Sequence, residues 1–227
     1  MDGKDVRFFL QIIESPSPDE IFDGRTEGSL LRAALTIAEI PYCYNIAVNR
    51  NKFFDALRLF LERREQDRDA LQILHLSMHG DREGVAFTDD SPSNNSFLSW
   101  KELGEVLTHI AQGELVVCMS SCYGFSGCRM AMSDGGTIPF LALVGNDEPV
   151  SLDDAAIAYS AFYHRLFKRD GIPAAVDAMQ RASGNFKFQF ISGEDARRVW
   201  KQAQANQAKA WVDEYLRNLM LQTGQNR

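Results

Sequence analysis

Six short apolar runs alternate with longer stretches of helical spacing, and this alternation constrains the fold more than any other feature of the chain. The runs occupy 6–15 (VRFFLQIIES), 42–48 (YCYNIAV), 70–80 (ALQILHLSMHG), 114–122 (ELVVCMSSC), 138–146 (IPFLALVGN) and 186–191 (FKFQFI). The first five have the length and composition of buried strands, while the sixth alternates apolar and polar residues and suits a sheet edge. Between them, 26–40 carries Leu30, Leu31, Ala34, Leu35 and Ala38 at helical spacing and is closed by Pro41. Residues 51–69 carry Phe53, Phe54, Leu57, Leu59, Phe60 and Leu61 before a charged tail, which predicts a helix with one buried face. Further helices are expected over 100–110, 125–133, 151–171 and 172–184, and a hairpin or β-arm with a polar tip over 83–100. Strands alternating with helices imply parallel pairing, right-handed crossovers and an α/β sheet of about six strands with helices on both faces. In such sheets, sites form beyond the carboxyl ends of the strands.

A chain of 227 residues is long enough for one sizeable core, here expected over 1–192. Residues 193–227 form a long C-terminal helix, whose stripe includes Val199, Trp200, Ala203, Ala210, Trp211, Tyr215 and Leu219, broken by Gln207. That helix packs on the flank of the domain or docks a partner. Net charge is −7, and Lys and Arg are scattered among acids, so no nucleic-acid partner is expected. No apolar run approaches the roughly 20 residues of a membrane span, and the acidic start MDGKD is not that of a signal peptide. Cys43, Cys118, Cys122 and Cys128 lack zinc spacing and are too few for a disulfide scaffold, which suggests reduced thiols in the cytoplasm.

Two strand ends carry the chemistry. The run 70–80 stops at His79-Gly80, and the run 114–122 stops at Cys122, 43 positions later, before Tyr123-Gly124. Neighbouring parallel strands lie about 4.8 Å apart, so residues at equal depth on their carboxyl ends face one another. Gly80 permits a sharp exit, and a helix after Cys122 favours a thiolate. The N–H groups of Gly80 and Cys122 are candidate oxyanion donors. Nucleophile, base and oxyanion donors are the minimum set for thiol acyl transfer. Cys118 lies inside its apolar run and reads as a core thiol. His75 and His79 do not make a zinc site, because four residues of strand hold them roughly 13 Å apart. No metal or cofactor is expected.

A strand ending in His-Gly followed by a strand ending in Cys resembles the caspase-like cysteine peptidases, in which the His lies about 50 residues upstream of the Cys. The block VGNDEPVSLDDAAIAYSAFYHRL (144–166), with its Pro-Val, its Asp and its Phe-Tyr helix, resembles the segment after the fifth strand of CHAT-domain proteins, and GIPAAVDAMQRA resembles their next helix. The resemblance spans 70–192, and 1–69 follows it in strand–helix order. It implies a caspase-like fold, His79 as base, Cys122 as nucleophile and Gly80 in the oxyanion hole. It also implies a pocket, beside the nucleophile and the next strand, for the side chain before the scissile bond. Ser120, Asp147 and Asp153 are the candidate substrate-binding residues there, with Asp153 as the floor and a lean towards basic side chains. Relatives of basic specificity often carry an acid two positions before the Cys, where this chain has Ser120.

The reading these features favour is a cysteine endopeptidase cutting a protein partner, in bacterial defence or regulated cell death by analogy, with a separate sensor or activator chain. Its alternative is an inactive CHAT-like adapter whose His-Cys pair is vestigial. A flavodoxin-like small-molecule domain ranks last, because ESPSPDE after the first run is a poor anion cradle.

Overall fold

A computed structural model describes residues 7–66, 69–89, 96–111, 114–133 and 136–224. In chain order the first half runs β1 (Phe8–Glu14), α1 (Pro18–Asp23), α2 (Glu27–Ile37), β2 (Tyr42–Ile46), α3 (Arg50–Gln66) and β3 (Leu71–Ser77). A small arm follows, made of β4 (His79–Gly80), β5 (Gly84–Ala86) and β6 (Phe97–Ser99), and then α4 (Trp100–Ala111) and β7 (Leu115–Ser120). The second half has a 3₁₀ helix (Gly124–Ala131), β8 (Ala142–Asn146), α5 (Leu152–Phe167), α6 (Ile172–Ser183), β9 (Phe188–Ser192) and α7 (Gly193–Gly224).

Each of the six apolar runs contributes one strand to a single sheet of order β2-β1-β3-β7-β8-β9. All neighbours are parallel except β9, which lies antiparallel to β8 at the edge. β7 is buried at every position, and β3 at all but its first, which is why both read as continuous apolar runs. Alternate residues supply two cores. Leu74, Leu76, Val117 and Met119 pack against Phe53, Leu57 and Phe60 of α3 and Leu103 and Leu107 of α4. Leu10, Ile12, Ile73 and Val116 pack on the opposite face against Leu31 and Leu35 of α2, Tyr159, Phe162 and Tyr163 of α5, and Met179 of α6. Each such side chain contributes about 1.5–3 kcal/mol on burial, so the sheet is clamped from both faces.

The expected helix over 125–133 is wound as a 3₁₀ helix. It opens from Tyr123 in the left-handed region (φ 55°). It also lies tightly on β8: a Cβ on Gly145 would come within 2.6 Å of Gly124 C and Phe125 N. The expected hairpin is a three-stranded antiparallel arm, and its predicted tip, 90–95, lies outside the described residues. α7 begins at Gly193, the residue from which the C-terminal helix was expected. Ala196 is buried, and the Arg197 guanidinium donates to Ala131 O, Gly136 O and Thr137 O, tying the helix start to the segment beyond the 3₁₀ helix. From Lys201 to Val212 every residue is exposed, Trp211 at 66%. Flank packing therefore covers the first two turns, because KQAQANQAKA has too few apolar residues to hold a face against the body. The side chains of Tyr215 and Leu219 lie outside the described residues.

Candidate active site at the carboxyl edge of the sheet

β2 pairs on one side of β1 and β3 on the other. The lateral direction of the chain therefore reverses between β1 and β3, and a crevice opens beyond their carboxyl ends. The register sets what faces it: Glu14 pairs with Ser77, and Ser77 with Ser120, so one row crosses β1, β3 and β7. A depression of about 170 Å³ sits on this row. It is lined by Glu14, Ser77 and Ser120 of the row, by Glu27, and by His79, Ser121 and Cys122 at the mouth.

His79 is exposed and opens the arm directly after β3, while Met78 N–H still donates to Ser120 O at 3.1 Å. Gly80 follows because nothing larger fits there. A Cβ would lie 2.8 Å from Cys122 O and 2.9 Å from Ser121 Cβ and Oγ, so the arm touches the backbone of Cys122 only through a glycine. Asp81 N–H donates to Gly84 O, and by antiparallel alternation Gly80–Val85 is then a non-hydrogen-bonded pair. The Gly80 N–H is therefore left out of the ladder. Gly80→Ala is expected to destabilise the fold by about 1–3 kcal/mol through overpacking, read as a lower Tm. A Tm equal to wild type would show that the arm does not bear on Cys122.

Cys122 is half-buried. Its chain leaves β7 through Ser121, and Tyr123 N–H donates to Glu148 O at 3.1 Å. The thiol reaches Val150 O at 3.7 Å, not His79. Ser121 Oγ is buried without a hydrogen-bond partner among the described residues. Cys118, two rows deeper in effect, behaves as the core thiol expected: burial pushes it up to about 12.

Three acids line the depression: Glu20, half-buried, accepts from Ser17 N–H, while Glu14 and Glu27 are each 1% exposed. Glu14 Oε2 accepts from Tyr44 OH at 2.7 Å and Gly28 N–H at 3.1 Å. Residue 28 must be glycine for this, since a Cβ would lie 2.4 Å from that oxygen. Burial raises the Glu14 carboxyl above its usual range, against the lowering effect of those two donors. Glu27 Oε2 accepts from Ser120 Oγ at 2.7 Å, and Glu27 Oε1 faces His75 Nε2 at 3.4 Å. Neither of that last pair of atoms has a hydrogen-bond partner among the described residues.

Of the residues marked for substrate binding, Ser120 lines the depression, and Asp147 and Asp153 stand outside it, exposed. Ser151 caps α5 by accepting from Asp154 N–H, and its hydroxyl, with the amides of the first turn, holds the Asp153 carboxyl below its usual value. Asp153 is thus a solvated residue of a helix start, and the floor is made by two acids that the sequence reading passed over. The available signal was an apolar run closing on Glu, QIIE, and a Thr-Glu-Gly helix start that allows close approach.

Among the described residues no cluster of His, Cys, Asp and Glu could hold a metal ion, and no helix is long and apolar enough to cross a membrane. No family model matches the chain, and no curated protein matches it in sequence. Solved structures do match. A secreted C11 cysteine protease from Bacteroides thetaiotaomicron, in complex with an irreversible peptide inhibitor, aligns with TM-score 0.57 and 8% identity over 84% of this chain and 67% of its own. The Arg-specific cysteine proteinase gingipain R (RgpB) aligns with TM-score 0.48 and 11% identity over 81% of this chain and 45% of its own. A complex of Porphyromonas gingivalis RgpB pro- and mature domains gives TM-score 0.47 and 10% identity over 83% and 49%. The chain thus spans about half the length of the gingipain chains. The fold shared with the C11 protease is the caspase-like one: a mostly parallel six-stranded sheet between helices.

Proposed function

We propose that the chain is a cysteine endopeptidase that cleaves a protein partner after a basic residue. The observation that carries this reading is one depression at the carboxyl edge of the sheet, with His79 and Cys122 at its mouth and two buried carboxylates at its floor. In the reaction, His79 takes the proton of Cys122 Sγ, and the thiolate attacks the scissile carbonyl carbon. The N–H groups of Gly80 and Cys122 receive the oxyanion. His79 then protonates the leaving amine, and a water activated by His79 hydrolyses the thioester. Glu14 and Glu27, with the Ser120 hydroxyl, receive the guanidinium or ammonium of the preceding side chain by charge-assisted hydrogen bonds. An acidic side chain there would meet like charge, so Asp specificity is ruled against.

The peptidase body in this reading is 1–192, with 193–227 as a helix offered to a partner. The CHAT-like block at 144–166, and with it a role in bacterial defence under a separate sensor chain in the cytoplasm, belongs to the same proposal. One observation favours the second reading, an inactive adapter: the thiol is engaged by Val150 O rather than by His79.

Labelling by a peptide chloromethyl ketone ending in Arg decides between them. The enzyme reading expects one covalent adduct, mapped to Cys122 by mass spectrometry and absent in His79→Ala at equal exposure. Equal labelling of wild type and His79→Ala, or labelling spread over Cys43 and Cys128, would favour the adapter.

A further inference from the structure

We propose that His75 and Tyr163 are positioning residues that hold the Glu27 carboxylate for a basic side chain; this deepens the peptidase reading and rests on it. Glu27 stands on the first turn of α2, at 1% exposure. A carboxylate so buried needs donors on both oxygens. Ser120 supplies one directly. The other oxygen has no hydrogen-bond partner among the described residues and faces His75 Nε2 at 3.4 Å.

Which atom His75 presents is decided behind it. His75 lies in the row Ile12–His75–Cys118, two residues below Glu14–Ser77–Ser120 and therefore on the same sheet face. Its Nδ1 is 2.8 Å from the Tyr163 hydroxyl, and the ring stands edge-on to Tyr159 at 4.7 Å between centroids. His75, Tyr159 and Tyr163 are all buried.

A neutral imidazole carries one N–H. A carboxylate oxygen only accepts, so the proton of His75 sits on Nε2, facing Glu27 Oε1, and the Tyr163 hydroxyl donates to Nδ1. Donors then run in one direction, from Tyr163 through His75 towards the carboxylate, with Ser120 donating from the other side. Each bond in such a run polarises the next. Without the Tyr163 hydroxyl, Nδ1 is a buried acceptor with no donor, and nothing fixes the ring against Glu27. The ring then turns to find a donor, and the carboxylate swings away. The reacting atoms of Cys122 and His79 are not members of this run, so the loss falls on recognition.

The experiment compares peptides with Arg and with citrulline, its uncharged isostere, before the scissile bond. In Tyr163→Phe the Arg/citrulline ratio of kcat/KM is expected to fall about tenfold, through a raised KM with kcat held. Tyr159→Phe, equally buried and touching the same ring, is expected to keep the wild-type ratio, which separates positioning from a general loosening of the core. An unchanged ratio in folded Tyr163→Phe overturns the proposal. Should that variant not fold, His75→Leu is read the same way, and an unchanged ratio there overturns it equally. A wild type that cleaves both peptides alike would strike the acidic pocket itself and take this proposal with it; a wild type that prefers Arg beside a Tyr163→Phe that prefers it as strongly strikes this proposal alone.

Discussion

Cys122→Ala is expected to remove peptide hydrolysis, by on the order of 10⁴-fold or more, with the fold unchanged. The side chain is half-buried at a strand exit and its one polar contact is a long one, 3.7 Å to Val150 O, so little structure rests on it. His79→Ala is expected to lose nearly as much, because base and nucleophile act as a unit and their effects do not add. His79 is exposed, so its removal leaves no cavity. Cys118→Ala makes the contrast. It sits at 0% exposure between Val117 and Met119 on β7, and its loss should cost about 1 kcal/mol while labelling of Cys122 persists. Turnover of an Arg peptide and thermal unfolding on the same three variants check the set. Wild-type turnover in Cys122→Ala would end the assignment.

The strands themselves were legible because β1, β3, β7 and β8 are buried on both faces and so must be apolar almost throughout, which a single sequence displays; their order in the sheet was not. That their carboxyl ends form the site follows from parallel topology alone. The depression that His79 and Cys122 share was therefore within reach of sequence, since each closes its own run. The floor was not. Glu14 and Glu27 are 13 positions apart and far from Cys122 in the chain. Only the register Glu14–Ser77–Ser120, and a glycine at 28 that lets α2 close on β1, bring them beneath it. Proximity in sequence pointed instead to Asp147 and Asp153. Those follow β8 directly, but both are exposed, Asp147 in the loop and Asp153 in the first turn of the helix that Ser151 caps. The 3₁₀ helix was hidden for a related reason. Its winding answers to contact with Gly145 on another strand, and nothing in residues 124–131 themselves declares it.

Glu27→Gln is expected to lower kcat/KM on Arg peptides by roughly 10- to 100-fold, the worth of a charge-assisted contact in a desolvated pocket, and to leave citrulline peptides nearly untouched. Glu14→Gln should act in the same direction and also alter the pH profile. Burial raises the Glu14 carboxyl above its ordinary value, so on acidification it takes up a proton earlier than an exposed glutamate would. Cleavage after Arg should then decline as pH falls through that raised value, while cleavage after citrulline does not follow. In Glu14→Gln the two profiles should run parallel over that range. The stability sign is opposite. A carboxylate whose pKa is raised by folding is held less favourably as an anion in the folded chain; that cost is absent below the ordinary carboxylate value, builds as pH rises from there to the raised value, and is full above it. Glu14→Gln should therefore match or exceed the wild-type Tm at neutral pH even as it loses selectivity. Substituted, a carboxylate placed only for packing would cost Tm and spare the Arg/citrulline ratio; a carboxylate placed for a cationic ligand does the reverse, and the two measurements on one variant tell these apart.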